Sequence, residues 1–238
     1  MQAVVTGATS GIGKAIALAL REEGYDVFAL GRRTEALVEL EALGIKGIQV
    51  DLANREATRL AVQALQPDVL VNNAGIMPPL VNFCETRDED IDQAIAVNIA
   101  SVIYLTRMLA PAMRQRRSGH IFFTGSTAGH APFANLAVYC ATKAAIAGFA
   151  QALRLDLAST QVRVTEIVAG RVETDLYKNL LSLEARAAMY AGHSAVQPKD
   201  VATMVLAVLA LPASVDVARF DILPTQPAAA MGAQNKDK

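Results

Sequence analysis

Short apolar segments alternate with longer amphipathic segments along almost the whole chain. The apolar segments lie at residues 2–5, 26–30, 47–50, 68–71, 120–124, 162–168 and 219–223. Between most of them lie segments with helical periodicity, the longest at residues 87–117 and 138–159. This alternation predicts βαβ units, because a parallel sheet needs a crossover helix between consecutive strands. We therefore expect an α/β fold with a doubly wound parallel sheet of about seven strands and helices on both faces.

The length of 238 residues suits one large domain, which we place at residues 1–227. The long non-periodic stretch at about residues 169–197 predicts a loop over a site, since compact domains rarely carry such loops without a use. The small and polar residues 228–238 predict a loose C-terminal tail. Thr34 is expected to cap a short helix over residues 34–43.

The composition limits the partners. Lys plus Arg is 22 and Asp plus Glu is 23, so no basic excess favours nucleic acid. The two cysteines and three scattered histidines show no metal-ligand spacing. Two cysteines form no disulfide framework, which fits a reducing compartment. A first strand at Gln2 leaves no room for a signal peptide, and the charge-free stretch from Val201 to Val215 is too short to span a bilayer. We expect a cytoplasmic protein with neither a membrane nor a nucleic-acid partner.

A glycine-rich turn follows the first strand directly and leads into a helix. In this position glycines let the backbone approach a pyrophosphate, and the helix N-terminus offers it unpaired N–H groups. The turn predicts a Rossmann-like dinucleotide site, although three glycines also occur in ordinary turns. The expected contacts are Gly7, Thr9, Ser10, Gly11, Ile12 and Gly13.

The end of the second strand distinguishes the two common dinucleotides. An NAD site usually has a carboxylate there for the ribose 2′-hydroxyl, but this chain has Gly31 followed by Arg32 and Arg33. Guanidinium groups are well shaped to hold a 2′-phosphate, and Lys14 could add a further positive charge. The pattern favours NADP; the alternative is a pair of solvated arginines.

Polar residues recur at the carboxyl ends of later strands. Asn72–Gly75 follows strand four, Ser126 follows strand five, and Asn98 lies in the long helical segment. Tyr139 and Lys143 are four residues apart, on one face of a predicted helix. With the glycine turn, these elements resemble the short-chain dehydrogenase/reductase family from Val4 to about Leu223.

The residue types suit a hydride transfer between nicotinamide and a carbonyl or alcohol. Tyr139 is the predicted acid/base, and a lysine ammonium nearby should lower its pKa from about 10. Ser126 would donate a hydrogen bond to the carbonyl oxygen. The resemblance implies that Lys143 also holds the nicotinamide ribose and that Asn98 orders a water for proton relay. Each of the four residues could singly be an ordinary helix or cap residue.

The resemblance also implies further cofactor contacts. Asp51 resembles the residue that contacts adenine, and Leu52 would line the same pocket. Asn73 is expected to be more structural than catalytic. Thr174 matches the threonine that contacts the carboxamide. The chain departs from the family in having Ala169 where proline is usual, which leaves the backbone less stiff. The remaining contacts expected from the resemblance are Tyr139, Lys143, Ala74, Gly75, Gly170 and Val172.

The substrate residues are expected after strands five and six. Candidates are Thr127, Arg171 and Tyr177, with His130 and Phe133 nearby. We hypothesise that Arg171 pairs with an acidic or strongly polar substrate; solvent or the cofactor phosphates are equally good partners for it. Residues 211–224 resemble the subgroup of 3-hydroxy acid dehydrogenases and clavaldehyde reductases. This implies a small polar aldehyde, ketone or 3-hydroxy acid as substrate.

Two other functions compete with the oxidoreductase. A catalytically idle NADP-binding sensor or scaffold would often have lost the tyrosine, lysine or serine. An isomerase or epimerase tends to carry a larger substrate domain than the residues after strand six allow. The apolar helices at residues 100–117 and 138–159 fit the helix pair through which the family forms homodimers or homotetramers; burial against the sheet is the alternative.

Overall fold

The computed structural model describes residues 1–226, so the predicted tail at 228–238 lies outside the described residues. Within them the strands are β1 (Gln2–Thr6), β2 (Asp26–Gly31), β3 (Lys46–Gln49), β4 (Val69–Asn72), β5 (Gly119–Thr124), β6 (Val162–Ala169) and β7 (Arg219–Ile222). The helices are α1 (Gly11–Glu22), α2 (Thr34–Glu41), α3 (Arg55–Val62), α4 (Asp88–Ile95), α5 (Ser101–Arg116), α6 (Ala137–Leu157), α7 (Leu183–Tyr190) and α8 (Pro198–Leu209).

The seven strands of residues 1–226 form one parallel sheet in the order β3-β2-β1-β4-β5-β6-β7. The chain winds outward in one direction from β1 to β3 and then crosses to β4 and winds the other way. The predicted doubly wound parallel sheet is therefore confirmed. In such sheets a crevice opens at the carboxyl ends of the strands where the order reverses, here between β1 and β4.

Each face of the sheet carries its own apolar layer, because successive strand residues point to opposite sides. Val5, Val71 and Phe122 pack with α1, α2 and α8 on one face. Val4 and Leu70 pack with α3, α5 and α6 on the other. The near-continuous apolar strands of the sequence follow from burial on both faces.

Two local predictions need correction or refinement. Thr34 is the first residue of α2 and not its cap; Arg33 occupies the N-cap position without a side-chain cap bond. The helical segment predicted at residues 87–117 is one continuous helix, with a π-helical turn over Ala96–Ala100 joining α4 to α5. A π turn inserts one extra residue into an α-helix and is frequent at functional sites.

This continuous helix, Asp88–Arg116, is long and apolar enough to cross a membrane by length and composition. However, 50% of its most apolar window is buried within the fold. Leu105, Leu109 and Met113 are part of the layer beneath the sheet. Core helices of globular domains satisfy the same criterion, and this one covers the β4 side of the sheet.

Candidate active site

The turn between β1 and α1 has a conformation that requires glycine. Gly7 and Gly11 have φ values of +63° and +53°, in the left-handed region. A methyl group at Gly13 would lie 2.4 Å from Asn73 Nδ2 and 2.5 Å from the Gly7 carbonyl oxygen. Ser10 is the N-cap of α1, and its side chain makes no cap hydrogen bond within residues 1–226. The first N–H groups of α1 therefore keep their capacity for an anion, with Thr9 and Ile12 flanking this backbone.

Asn73 fastens this turn to two other strands. Its side-chain Nδ2 donates to the Thr6 carbonyl at 3.1 Å, and its Oδ1 accepts from the Thr124 hydroxyl at 3.2 Å. The Thr6 hydroxyl accepts from the backbone N–H groups of Asn73 and Ala74, at 2.9 and 3.0 Å. The carboxyl ends of β1, β4 and β5 are thus joined by one network. This agrees with the structural role expected for Asn73.

The end of β2 lies beside the turn, as a 2′-phosphate site requires. A methyl group at Gly31 would lie 2.5 Å from Thr9 Cγ2, so strand and turn are in close contact. Arg33 Nη2 donates to the Thr9 carbonyl, while Arg32 is exposed. Lys14 pairs loosely with Glu39 at 3.5 Å. The two arginines, without a carboxylate between them and the turn, form a cationic rim.

The predicted adenine contacts lie farther along this rim, after β3. Asp51 is exposed, and its Oδ1 accepts from the Ala53 backbone N–H at 3.1 Å. Leu52 is half-buried and packs on the apolar layer of the α3 side. Both therefore lie at the carboxyl edge of the sheet, on the β2–β3 side of the glycine turn.

Tyr139 and Lys143 lie on the buried face of α6, one turn apart. They are 7% and 7% exposed, and Lys143 Nζ is 5.7 Å from the centre of the Tyr139 ring. Lys143 Nζ donates to the Thr124 carbonyl at 2.8 Å, which ties α6 to the end of β5. The predicted pair is thus brought together at the carboxyl edge, near the network of Asn73.

The acid–base balance differs from the sequence expectation. Burial raises the pKa of Tyr139 above its usual value, Tyr177 raises it further, and a hydrogen bond with the Ser126 hydroxyl opposes both. Burial also lowers the pKa of Lys143 to about 8. The net shift of the Tyr139 pKa is therefore opposite to the lowering expected from Lys143, because desolvation by burial is its largest cause. The phenol is held in its protonated form at neutral pH.

Ser126 and Thr127 lie in the first turn after β5. Ser126 caps the short 3-10 helix Thr127–Gly129, its Oγ accepting from the Ala128 N–H at 3.1 Å. The same hydroxyl faces the Tyr139 phenol. The interpretations of Ser126 as a helix cap and as a catalytic residue are therefore compatible, because the cap hydrogen bond fixes the position of its Oγ.

Asn98 lies in the π turn and is 2% exposed. Its Oδ1 accepts from the Ile76 N–H at 2.8 Å, and its Nδ2 donates to the Ile76 carbonyl at 2.9 Å. Nδ2 also donates to the Thr142 hydroxyl at 3.2 Å. A methyl group at Gly75 would lie 3.4 Å from Asn98 Oδ1 and 3.7 Å from Lys143 Nζ. Asn98 thus holds the segment that follows β4 in place and lies close to Lys143. The water that Asn98 is expected to order stays a prediction.

The segment after β6 carries the remaining cofactor candidates. Gly170 donates its N–H to the Ile222 carbonyl at 2.9 Å, so pairing with β7 holds the backbone where the family's proline is missing. The Val172 side chain is buried in the apolar layer of the α1 side. Thr174 lies over the start of α1, because a methyl group at Gly11 would meet its Cγ2 at 3.0 Å.

Two of the predicted substrate residues, Arg171 and Tyr177, lie in this segment, and their role toward a substrate stays a prediction. Tyr177 is half-buried and close enough to add to the raised pKa of Tyr139. Burial raises the pKa of Tyr177 itself, and Arg171 is close enough to oppose that rise. Arg171 also donates to the Met189 carbonyl at 3.0 Å. An open cleft of about 950 Å³ separates α1 from residues 173–199. Residues 170–197 thus form a flap beside the cleft, which we call the substrate loop.

Sequence reasoning missed Glu166, Thr124 and Thr142. Glu166 lies in β6, is 2% exposed and contacts His130. An acidic residue in the interior of a mostly buried strand was the available signal. The two threonines contact Lys143 and Asn98, but nothing in their spacing distinguishes them from ordinary buried threonines.

The comparisons with known proteins agree with this geometry. A family model described as short chain dehydrogenase matches residues 1–185. The chain belongs to the short-chain dehydrogenase family. The family and fold predictions are therefore confirmed.

Three relatives cover nearly the whole chain. An uncharacterized short-chain type dehydrogenase/reductase, y4eK of Sinorhizobium fredii, is 46% identical and covers 94% of this chain and 91% of its own. The NADP-dependent 3-hydroxy acid dehydrogenase YdfG of Escherichia coli is 37% identical, with coverage of 94% and 95%. The closed form of a serine dehydrogenase complexed with NADP+ has a TM-score of 0.91 and 35% identity, with coverage of 99% and 100%. These names agree with the prediction of an NADP-dependent dehydrogenase.

Proposed function

We propose that this chain is an NADP-dependent oxidoreductase that interconverts a carbonyl and an alcohol on a small polar substrate. The observation that carries the proposal is the buried group of Tyr139, Lys143 and Ser126 beside a glycine turn at the crevice of the sheet. The relatives named as dehydrogenases of serine and of 3-hydroxy acids support a hydroxy acid, its keto form or the related aldehyde as substrate.

The residues of the crevice fit a dinucleotide. Gly7, Gly11 and Gly13 let the turn pack directly against neighbouring protein atoms, with the N–H groups of α1 beside it for a pyrophosphate. Arg32 and Arg33 would hold the 2′-phosphate, with Asp51 and Leu52 toward the adenine. When bound, NADPH would supply the hydride that the carbonyl carbon accepts in reduction.

The protein side chains handle the proton. In reduction, the Tyr139 hydroxyl donates its proton to the carbonyl oxygen, while the Ser126 hydroxyl donates a hydrogen bond to the same oxygen. The raised pKa of Tyr139 keeps this proton in place at neutral pH. In oxidation Tyr139 must act as the phenolate, which the Lys143 ammonium stabilises. We therefore expect reduction to be favoured at neutral pH and oxidation to gain with alkalinity until Lys143 loses its proton.

Arg171 supports a preference for acids. It lies near Tyr177, and Tyr177 lies near Tyr139, so a carboxylate held by Arg171 would lie on the approach to the phenol. Thr127, directly after Ser126, lines the same approach from the β5 side.

The first test is a screen of NADPH consumption against small aldehydes, semialdehydes, 2- and 3-keto acids, keto esters and diketones, each repeated with NADH. We expect turnover with NADPH on keto acids or semialdehydes and little with NADH. A clear preference for NADH would contradict the cofactor assignment. Tight NADPH binding without turnover on any class would favour the idle sensor instead.

The protein is expected to act in the cytoplasm as a homodimer or homotetramer. Ile95 and Tyr104 on the α4–α5 helix are exposed at 44% and 40%, and Leu155 on α6 at 68%. Sedimentation analysis would test this, and a monomer at micromolar concentration would contradict it.

A further inference from the structure

Glu166 is a buried carboxylate to which the proposed reaction gives no role. It lies in the middle of β6 and is 2% exposed. A buried carboxylate is costly unless it is paired and hydrogen-bonded. In the sequence V-R-V-T-E-I-V an apolar residue would complete the strand at a lower cost. The contacts of the Glu166 carboxylate therefore indicate which role offsets this cost.

One partner of Glu166 comes from the loop that carries Ser126. Its Oε1 is 2.9 Å from Nε2 of His130, whose side chain is 27% exposed. A methyl group at Gly125 would lie 2.4 Å from the same oxygen, so the carboxylate packs directly against the residue before Ser126. Glu166 thus contacts both ends of the segment Gly125–His130.

The other side of this segment contacts α6 at Lys143. A methyl group at Gly129 would lie 2.8 Å from the carbonyl carbon of Lys143 and 2.9 Å from its oxygen. The segment is therefore held between Glu166 and the backbone of Lys143. Because Ser126 is within it, its position relative to Tyr139 depends on both contacts.

The charge of Glu166 also acts on Lys143. Burial lowers the pKa of Lys143 to about 8, and the Glu166 carboxylate raises it against that effect. The other groups facing Lys143 are the Thr124 carbonyl on β5, Tyr139 on α6 and, near Gly75, the Asn98 side chain. A cation on the neighbouring strand β7, Arg219, is engaged in its own ion pair with Asp221 at 2.9 Å.

We infer that Glu166 and His130 are positioning residues of the active site: they hold the Ser126 loop against α6 at Lys143, so that the Glu166 carboxylate acts on both Ser126 and Lys143. This inference rests on the proposed function. It assigns a reaction-specific task to a carboxylate that packing alone would not select.

The central test is Glu166→Gln, which keeps the shape and removes the charge. A lysine NMR titration of the whole protein, with the Lys143 signal assigned by Lys143→Arg, should show the Lys143 pKa falling by about one unit, equivalent to a roughly tenfold change in its ionisation constant. The alkaline limb of the rate profile should move to lower pH with it. Glu166→Asp should restore much of the wild-type profile.

Thr165→Val is the matched control. Thr165 is the preceding residue of β6 and is 0% exposed; it donates to the Val217 carbonyl at 2.7 Å and contacts His120. Its replacement should lower stability without moving the Lys143 titration. If Thr165→Val moves the titration as much as Glu166→Gln does, or if Glu166→Gln leaves it unchanged, the inference is overturned.

His130→Phe tests the loop contact separately. It should lower kcat about tenfold, roughly the effect of one lost hydrogen bond to a charged group, and His130→Gln, which keeps a donor, should recover most of it. Equal losses in both variants would contradict the positioning role. The NMR titration needs no substrate, so a wild-type protein without activity would defeat the proposed function and still leave the charge effect measurable.

Discussion

The glycine turn and the substrate loop both border the crevice, but they are held in different ways. The turn at residues 6–13 is fixed by close backbone contacts and by the network of Thr6, Asn73 and Thr124. In the substrate loop, α7 has no buried residue within the described chain. The loop is held mainly at its base, by the bridge between Val172 and Val196, and by the bond of Arg171 to Met189.

The difference separates two tasks. Hydride and proton transfer tolerate little displacement of the reacting groups, so the cofactor side and α6 are tightly packed. Substrate selection is a difference of affinities and can be retuned by changing a few loop side chains. We therefore expect substitutions on the turn and on α6 to affect all substrates alike, and substitutions in the loop to act on particular substrates.

The largest effect is expected for Tyr139→Phe on the rigid side. Removing the acid/base should lower kcat by about a thousandfold for every substrate, within the ~10²–10⁴ range of such groups. NADPH binding, measured by fluorescence titration, should stay within about threefold because the ring remains. Tyr104→Phe on the exposed face of α5 serves as the control. Near-full turnover by the Tyr139→Phe variant would contradict the proposed mechanism.

Gly13→Ala should break the turn itself. The added methyl group meets Asn73 and the Gly7 carbonyl, so we expect a loss of about 1–3 kcal/mol of unfolding free energy and weaker NADPH binding. Gly148→Ala on α6 is the matched control, because its methyl group meets no atom of residues 1–226 within 4 Å. It should be neutral or stabilising by about 0.5–1 kcal/mol. Denaturant unfolding and NADPH titration measure both; similar results would contradict the close packing.

Arg33→Ala should act on the cofactor and leave substrate selection unchanged. Loss of a charge-assisted contact to the 2′-phosphate should weaken NADPH binding about tenfold, with NADH binding nearly unchanged. Arg107→Ala, an exposed arginine on α5, controls for net charge. The ratio of the two dissociation constants is the readout, and an equal loss for both cofactors would point to damage to the turn.

Arg171→Met should sharpen the contrast from the loop side. It keeps an unbranched apolar stem and loses the charged end, so KM for acidic substrates should rise about tenfold while KM for neutral ones changes little. The KM of Arg171→Lys for acidic substrates should lie between those of the wild type and Arg171→Met. An equal rise for acidic and neutral substrates would mean that Arg171 acts through its bond to Met189 and not through the substrate.

The sequence was informative where function depends on local spacing. The glycines of the turn and the four-residue interval from Tyr139 to Lys143 have fixed geometric meanings, so these positions could be read directly. The alternation of segments likewise led to the correct sheet. The cap of α2 was assigned one residue too late, because both Arg33 and Thr34 precede the apolar pattern and propensity favours threonine.

Features set by tertiary packing could not be read in this way. Glu166 meets His130 only because β6 lies beside β5, and the pairing depends on strand register. The direction of the Tyr139 pKa shift is set by burial against the opposing effect of the Ser126 hydroxyl, and neither the burial nor this contact can be read from the sequence. Such competitions are decided by how completely water is excluded.

The bridge between Val172 and Val196 bears on how residues 173–195 could be exchanged between related genes. The Val196 N–H donates to the Arg171 carbonyl at 2.8 Å, and the Glu173 N–H donates to the Val196 carbonyl at 3.0 Å, so both ends of residues 173–195 are anchored side by side. Both valines are buried in the apolar layer of the α1 side. Recombination between relatives at these two points would exchange the intervening segment as a cassette whose ends already meet. We expect such an exchange to leave the sheet and α6 in place, because the two ends of the segment already lie side by side.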